Sequence, residues 1–238
     1  MRKFSTRFFV RKNFWRVINL LKFNYYGHAC FQLDDGKYKV LFDPFLTGNP
    51  QATIKPEEVK ADYLFITHAH GDHVGDADVI IDKNDVTVIG IPEIMDFGGM
   101  NVKTIGMNLG GTIKLPFGYA RMVPAMHSAG VSGGVACGYV LSIGGKIIYF
   151  AGDTCLFGDM KLIGERDAID YAILPIGGHF TMDAIDAAKA VEFLGAKNAI
   201  PIHYNTWQPI EQNPEEFKNL VKSAQVHIVK PGESIELI

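Results

Sequence analysis

The sequence predicts a layered α/β sandwich, and three observations carry that expectation. Many short β-rich runs broken by turn residues fall into two groups, a few helices are marked by their own start and stop signals, and polar residues follow several of the runs directly. The 238 residues are 47% apolar, enough for one large core, and α/β domains of this size often fold as a single unit.

In chain order, strands are expected over residues 23–26, 29–33, 38–42 and 63–66, then over 86–89, 102–105, 119–123, 136–142, 146–150, 172–174, 199–202 and 226–229. A helix is expected over 183–194, with Asp183 as N-cap, Gly195 just past its end, and Ile185, Ala188, Val191 and Phe193 or Leu194 on one buried face. Another begins at Asn213 as cap, with Pro214 in the first helical position and Glu216 in the first turn. Weaker patterns predict helices over 76–82 and 155–163.

The 23 basic and 26 acidic side chains nearly cancel, so bulk charge supplies no attraction for nucleic acid or an anionic membrane. No apolar run reaches the roughly 20 residues that cross a bilayer, so no membrane insertion is expected. Three cysteines without a CxxC pair argue against a disulfide framework, and Cys155 reads as a buried packing thiol. A cytoplasmic protein with a small-molecule substrate is the expectation. Residues 1–20 stand apart as a basic N-terminal extension: Arg2, Lys3, Arg7, Arg11, Lys12, Arg16 and then Lys22 precede the first acid, Asp34.

The chemistry is concentrated in His68, His70, Asp72 and His73, immediately after the run 63–66. Alternate side chains of an extended backbone share a face, so His68 and His70 can grip one ion, while a turn at Gly71 redirects Asp72 and His73 towards a second. His127, Asp153 and His203 each follow an apolar run of their own, as expected of a site at one rim of a sheet. Asp43 ends the run 38–42 before Pro44; it either starts a turn or accepts the free N–H of a metal-bound histidine. His28 and His179 sit beside glycines and read either as substrate contacts or as satisfied structural histidines. His227 reads as an ordinary strand position.

The succession HxHxDH, His, Asp, His resembles the metallo-β-lactamase superfamily. The strings YYGHACF, FDPFLTGNP, AGDTCLFGDM, PIGGHFTMD and PIHYNTW are most similar to its metal-dependent hydrolases related to ascorbate-6-phosphate lactonase. The resemblance implies a four-layer αββα sandwich over residues 21–238. It also implies that His68, His70 and His127 bind one metal, that Asp72, His73 and His203 bind the other, and that Asp153 bridges them. It favours Asp43 as the partner of a metal-bound histidine and allows a homo-oligomer, for which the apolar segment 131–140 is a candidate interface.

Asp153 at the bridging position, rather than Cys, argues against antibiotic hydrolysis. An all-nitrogen and oxygen donor set leaves zinc as the leading metal and admits manganese or iron. The implied activity is hydrolysis of a small ester, lactone or phosphodiester by a water activated between two divalent ions, with Asp72 handling the proton. A phosphodiesterase or nuclease acting on RNA or DNA, and a metal-bound sensor module without turnover, are the competing readings.

Overall fold

The computed structural model describes residues 20–98 and 100–238; apart from Leu20, the basic extension lies outside the described residues. The first half supplies β1 (Leu21–Gly27), β2 (Cys30–Asp34), β3 (Lys39–Phe42), β4 (Tyr63–Phe65), β5 (Thr87–Gly90) and β6 (Lys103–Gly106). The second half supplies β7 (Thr112–Leu115), β8 (Gly118–Pro124), β9 (Cys137–Ile143), β10 (Lys146–Phe150), β11 (Tyr171–Pro175), β12 (Asn198–Ile202) and β13 (Gln225–Val226). The last strand, β14 (Ser234–Leu237), returns to the first half.

Two seven-stranded sheets result, ordered β14-β1-β2-β3-β4-β5-β6 and β13-β12-β11-β10-β9-β8-β7. Each is antiparallel on one side and parallel on the other: β3, β4, β5 and β6 run parallel in the first sheet, and β10, β11, β12 and β13 in the second. Because β8 and β10 both pair antiparallel with β9, β8 runs in the same direction as β10. Ligand sites of open α/β sheets collect outside the carboxyl ends of such strands.

The alternation of strand side chains explains the layering. Along β10, Ile148 and Phe150 point into the core shared by the two sheets, whereas Tyr149 joins the second core on the other face. On β11, Tyr171 and Ile173 face the shared core, and Ala172 and Leu174 the other. Phe150 from the second sheet meets Phe31 and Phe42 of the first edge-on, with ring centroids 5.0 and 5.4 Å apart, and Tyr139 meets Phe65 at 4.9 Å. The outer face of the second sheet is covered by α3 (Met160–Arg166), α4 (Ala184–Leu194) and α5 (Pro214–Leu220). A short helix, α2 (Ala77–Lys83), packs its Ala77, Ile80 and Ile81 with the first sheet, and the single turn α1 (Gly71–Val74) precedes it. This is the four-layer αββα sandwich.

The helix signals act as expected at α4 and α5. The Asp183 carboxylate accepts from the Asp186 amide, Gly195 takes the left-handed conformation at φ 58°, and Asn213 accepts from the Glu215 amide ahead of Pro214. The buried face of α4 differs: Ala184, Ala187, Ala188, Ala190, Val191 and Leu194 lie inward, and Ile185 is 68% exposed. Small side chains let the helix lie close to the sheet, so alanine rather than isoleucine marks the packed face.

The helix expected from residue 155 begins only at Met160, because Gly158 and Asp159 form a turn before it. The run 226–229 contracts to β13, leaving His227 just beyond it, hydrogen-bonded to Asn198 Oδ1 at 2.9 Å. In the segment 131–140, residues 136–140 are buried in and beside β9, whereas residues 131–135 are half-buried or exposed. Among the described residues no helix is long and apolar enough to cross a membrane.

Phe150 touches both sheets, so Phe150→Ala should lower the unfolding free energy by about 3–5 kcal/mol in urea titrations, the cost of an unfilled aromatic cavity.

Candidate metal centre

Past the end of β4 the chain leaves regular structure, bends at Ala69 and His70, with His70 extended, and then closes the single turn α1. This stretch brings His68 Nε2 to 2.9 Å from His70 Nδ1, and His127, from the loop after β8, completes a group whose ligand atoms lie within 4.8 Å of one another. The turn places Asp72 and His73, which gather in the same way with His28 and His203. Asp153, after β10, stands between the groups: its Oδ2 is 3.3 Å from His73 Nε2, 3.1 Å from His203 Nε2 and 3.7 Å from His127 Nε2. All seven residues singled out as ligands therefore meet at one rim. His28 joins them, fully buried. His179 does not; it is exposed, and its ring packs edge-on against Phe180 at 4.5 Å.

Asp43 anchors this arrangement from below. Its Oδ1 accepts from the Thr67 amide at 2.9 Å, and its Oδ2 accepts from the Thr67 hydroxyl and from His73 Nδ1, both at 2.7 Å. Gly75, at φ 46°, makes the next close approach: a Cβ there would lie 2.4 Å from the Pro44 carbonyl, so only glycine lets α1 exit against the turn after Asp43. Asp76 then fastens that turn, its amide donating to Pro44 O and its carboxylate accepting from the Leu46 and Thr47 amides.

Three site residues hold positive φ without being glycine: Asp43 at 38°, His203 at 56° and His28 at 57°. Such strain persists where surroundings over-determine it. For His28 the surroundings are explicit, since its carbonyl accepts from Tyr25 Oη and the His203 amide while its own amide donates to Gln51 Oε1.

The protons can be assigned from these partners. Thr67 donates its hydroxyl hydrogen to Asp43, so it accepts from His68 Nδ1 at 2.9 Å, and the His68 Nε2 lone pair faces the cluster. His70 Nε2 has Ser128 Oγ at 3.2 Å as its acceptor, which turns the Nδ1 lone pair inward as well. Asp72 is a carboxylate acceptor for His28 Nε2–H at 3.2 Å, which leaves His28 Nδ1 to accept from the Thr206 hydroxyl at 2.8 Å. A neutral His28 fits its surroundings: burial, then the neighbouring His203, pull its pKa down to about 3 against the opposing Asp72. Burial and His73 likewise bring His68 down to about 2.

Burial works against the Asp72 and Asp153 carboxylates, but the imidazoles around them outweigh it and hold both well below the usual carboxylate range. Burial also opposes charge on His73, yet the Asp153 and Asp43 carboxylates prevail and raise its pKa well above the ordinary value.

These features fit a divalent cation. Two imidazole lone pairs converge at 2.9 Å, His73 Nε2, His203 Nε2 and Asp153 Oδ1 are buried without a hydrogen-bond partner, and His73 must otherwise carry the positive charge between two buried acids. The donors are nitrogen and oxygen throughout; Cys155, expected to be buried, is exposed, and the buried neighbour is Thr154.

A cavity of about 480 Å³ opens onto the cluster and is lined also by Ser128, Phe180 and Trp207. Sequence reasoning missed Gln51, Ser128, Phe180, Thr206 and Trp207 as site residues. The strings PIGGHFTMD and PIHYNTW contain three of them, although residue type alone gave those three no chemical role.

Two mixed sheets with histidines and aspartates gathered on their common rim define the metallo-β-lactamase class, and the model of the beta-lactamase superfamily domain matches residues 38–204. The UPF0173 metal-dependent hydrolase of Thermococcus kodakarensis is 49% identical over 226 residues, which cover 92% of this chain and 100% of the relative. A Thermus thermophilus protein of the same description is 46% identical over 225 residues, with 92% and 100% covered. The solved structure of Igni18, a metallo hydrolase from Ignicoccus hospitalis, matches with a TM-score of 0.84 and 38% identity over 90% of this chain and 97% of that one. The chain belongs to the metallo-β-lactamase superfamily and, within it, to the UPF0173 family of metal-dependent hydrolases.

Asp43→Asn removes the acceptor that orients His73 while leaving the cluster's own donors in place. Competition with a chelator should show metal held about 10–100-fold more weakly than in the unaltered protein.

Proposed function

We propose that this rim hydrolyses a small ester, lactone or phosphodiester with two divalent ions, zinc first and manganese or iron also suited to the donor set. In this reading His68, His70 and His127 hold one ion, Asp72, His73 and His203 hold the other, and Asp153 is shared. The observation that carries it is the placing of Asp153 Oδ2 within 3.7 Å of His127 Nε2 and 3.1 Å of His203 Nε2, which joins the two groups through one buried carboxylate. Bound there, the ions would lower the pKa of water towards neutrality and polarise the oxygen under attack.

The chain's own residues supply the rest. Asp72 lines the cavity with its side chain 28% exposed, and its Oδ2 is held by His28 Nε2–H. If one Asp72 oxygen holds the ion, the other would accept a proton from the attacking water and return it to the leaving group. His28, fixed by Thr206 on its other nitrogen, acts by positioning that carboxylate. Asp43 and Thr67 keep His73 and His68 in the tautomers that direct their free nitrogens into the cluster. No protein nucleophile is required.

Elemental analysis of the purified protein should find about two ions per chain, and chelation should abolish turnover of a panel of carboxylic and phosphodiester substrates. Metal without turnover on any of them would favour a sensor module instead. Asp72→Asn should lower kcat by about 10²–10⁴-fold; full turnover with both ions retained would remove Asp72 from the proton path.

A further inference from the structure

The part of the cavity that is not metal-binding cluster is aromatic. Phe180, in the loop after β11, is 53% exposed and lines the cavity. Trp207 faces the same space and is held in place from behind, its ring 4.9 Å from the His28 ring at 32° and 6.3 Å from Phe45 at 69°. Its backbone is fixed by the turn Gln208–Ile210 that follows it. Ser128 adds only a neutral hydroxyl, already opposite His70 Nε2. Among the described residues that line the cavity there is no lysine or arginine to pair with a carboxylate or phosphate away from the reacting bond. An anionic group pressed onto this wall would shed water without gaining a partner, whereas a phenyl or alkyl group would gain stacking and burial.

We infer that the non-reacting part of the substrate is an uncharged aromatic or apolar group seated against Phe180 and Trp207. A volume of about 480 Å³ fits a small molecule carrying such a group. This rests on the hydrolase reading for the reacting bond, but the aromatic wall stands apart from it and can be tested apart from it.

The test uses the metal-loaded protein and matched acetate esters. kcat/KM for phenyl acetate should exceed that for 4-carboxyphenyl acetate by about tenfold or more, although the carboxyphenol is the more acidic leaving group. Phe180→Ala should cost phenyl acetate about tenfold in kcat/KM and leave methyl acetate within about twofold. Equal or faster turnover of the carboxylated ester, or an equal effect of Phe180→Ala on phenyl and methyl acetate, overturns the inference.

Binding provides the second measurement. The chain has 2 tryptophans, so in a Trp15→Phe protein the indole fluorescence comes from Trp207 alone. Benzamide should quench it saturably, with a Kd weakened about tenfold by Phe180→Ala. Absence of saturable quenching overturns the aromatic site even if esters are hydrolysed. Quenching sensitive to Phe180→Ala without hydrolysis of any ester or phosphodiester sustains the aromatic site and overturns the hydrolase reading.

Discussion

The contact between Asp43 and His73, two side chains with no exposure to solvent, is the constraint on which the rim depends. A buried carboxylate is costly unless its oxygens are occupied, and here Thr67 and His73 occupy both. In doing so Asp43 ties the end of β3 to the end of β4 and to α1, three pieces that local preference alone would not bring into register. Removing any one partner leaves a charge or a polar group stranded in the interior. The same knot decides which nitrogens of His68 and His73 are free, so a packing requirement and a chemical one are met by a single carboxylate.

Much of this was readable in the chain and some was not, for physical reasons. His68, His70, Asp72 and His73 are contiguous, and one short stretch followed by one turn suffices to place them. His127, Asp153 and His203 each trail a strand, and parallel strand direction does the rest. Conformation and distant partners were hidden. Nothing local announces that His28, Asp43 and His203 adopt positive φ, because tertiary hydrogen bonds impose it. The partner that fixes the tautomer of His28, Thr206, lies 178 residues away.

The fold shows the same division. Most strands with buried faces were evident; β7 and β14, largely exposed or half-exposed, were not, although the equally exposed β6 was. On α4 a large isoleucine drew attention from the alanines that do the packing. Burial rewards closeness as well as bulk, and a hydrophobic pattern reads bulk more easily.

The mirrored build of the two sheets bears on how the site comes into being. One sheet contributes Asp43, His68 and the α1 residues, and the other contributes His127, Asp153 and His203, so neither half of the sandwich contains a complete donor set. An ion held by donors from both halves binds only when they are docked, and its binding energy is added to the docking of one sheet on the other. Separation of the halves would then release the ion, whereas removal of the ion alone leaves the apolar core between the sheets in place.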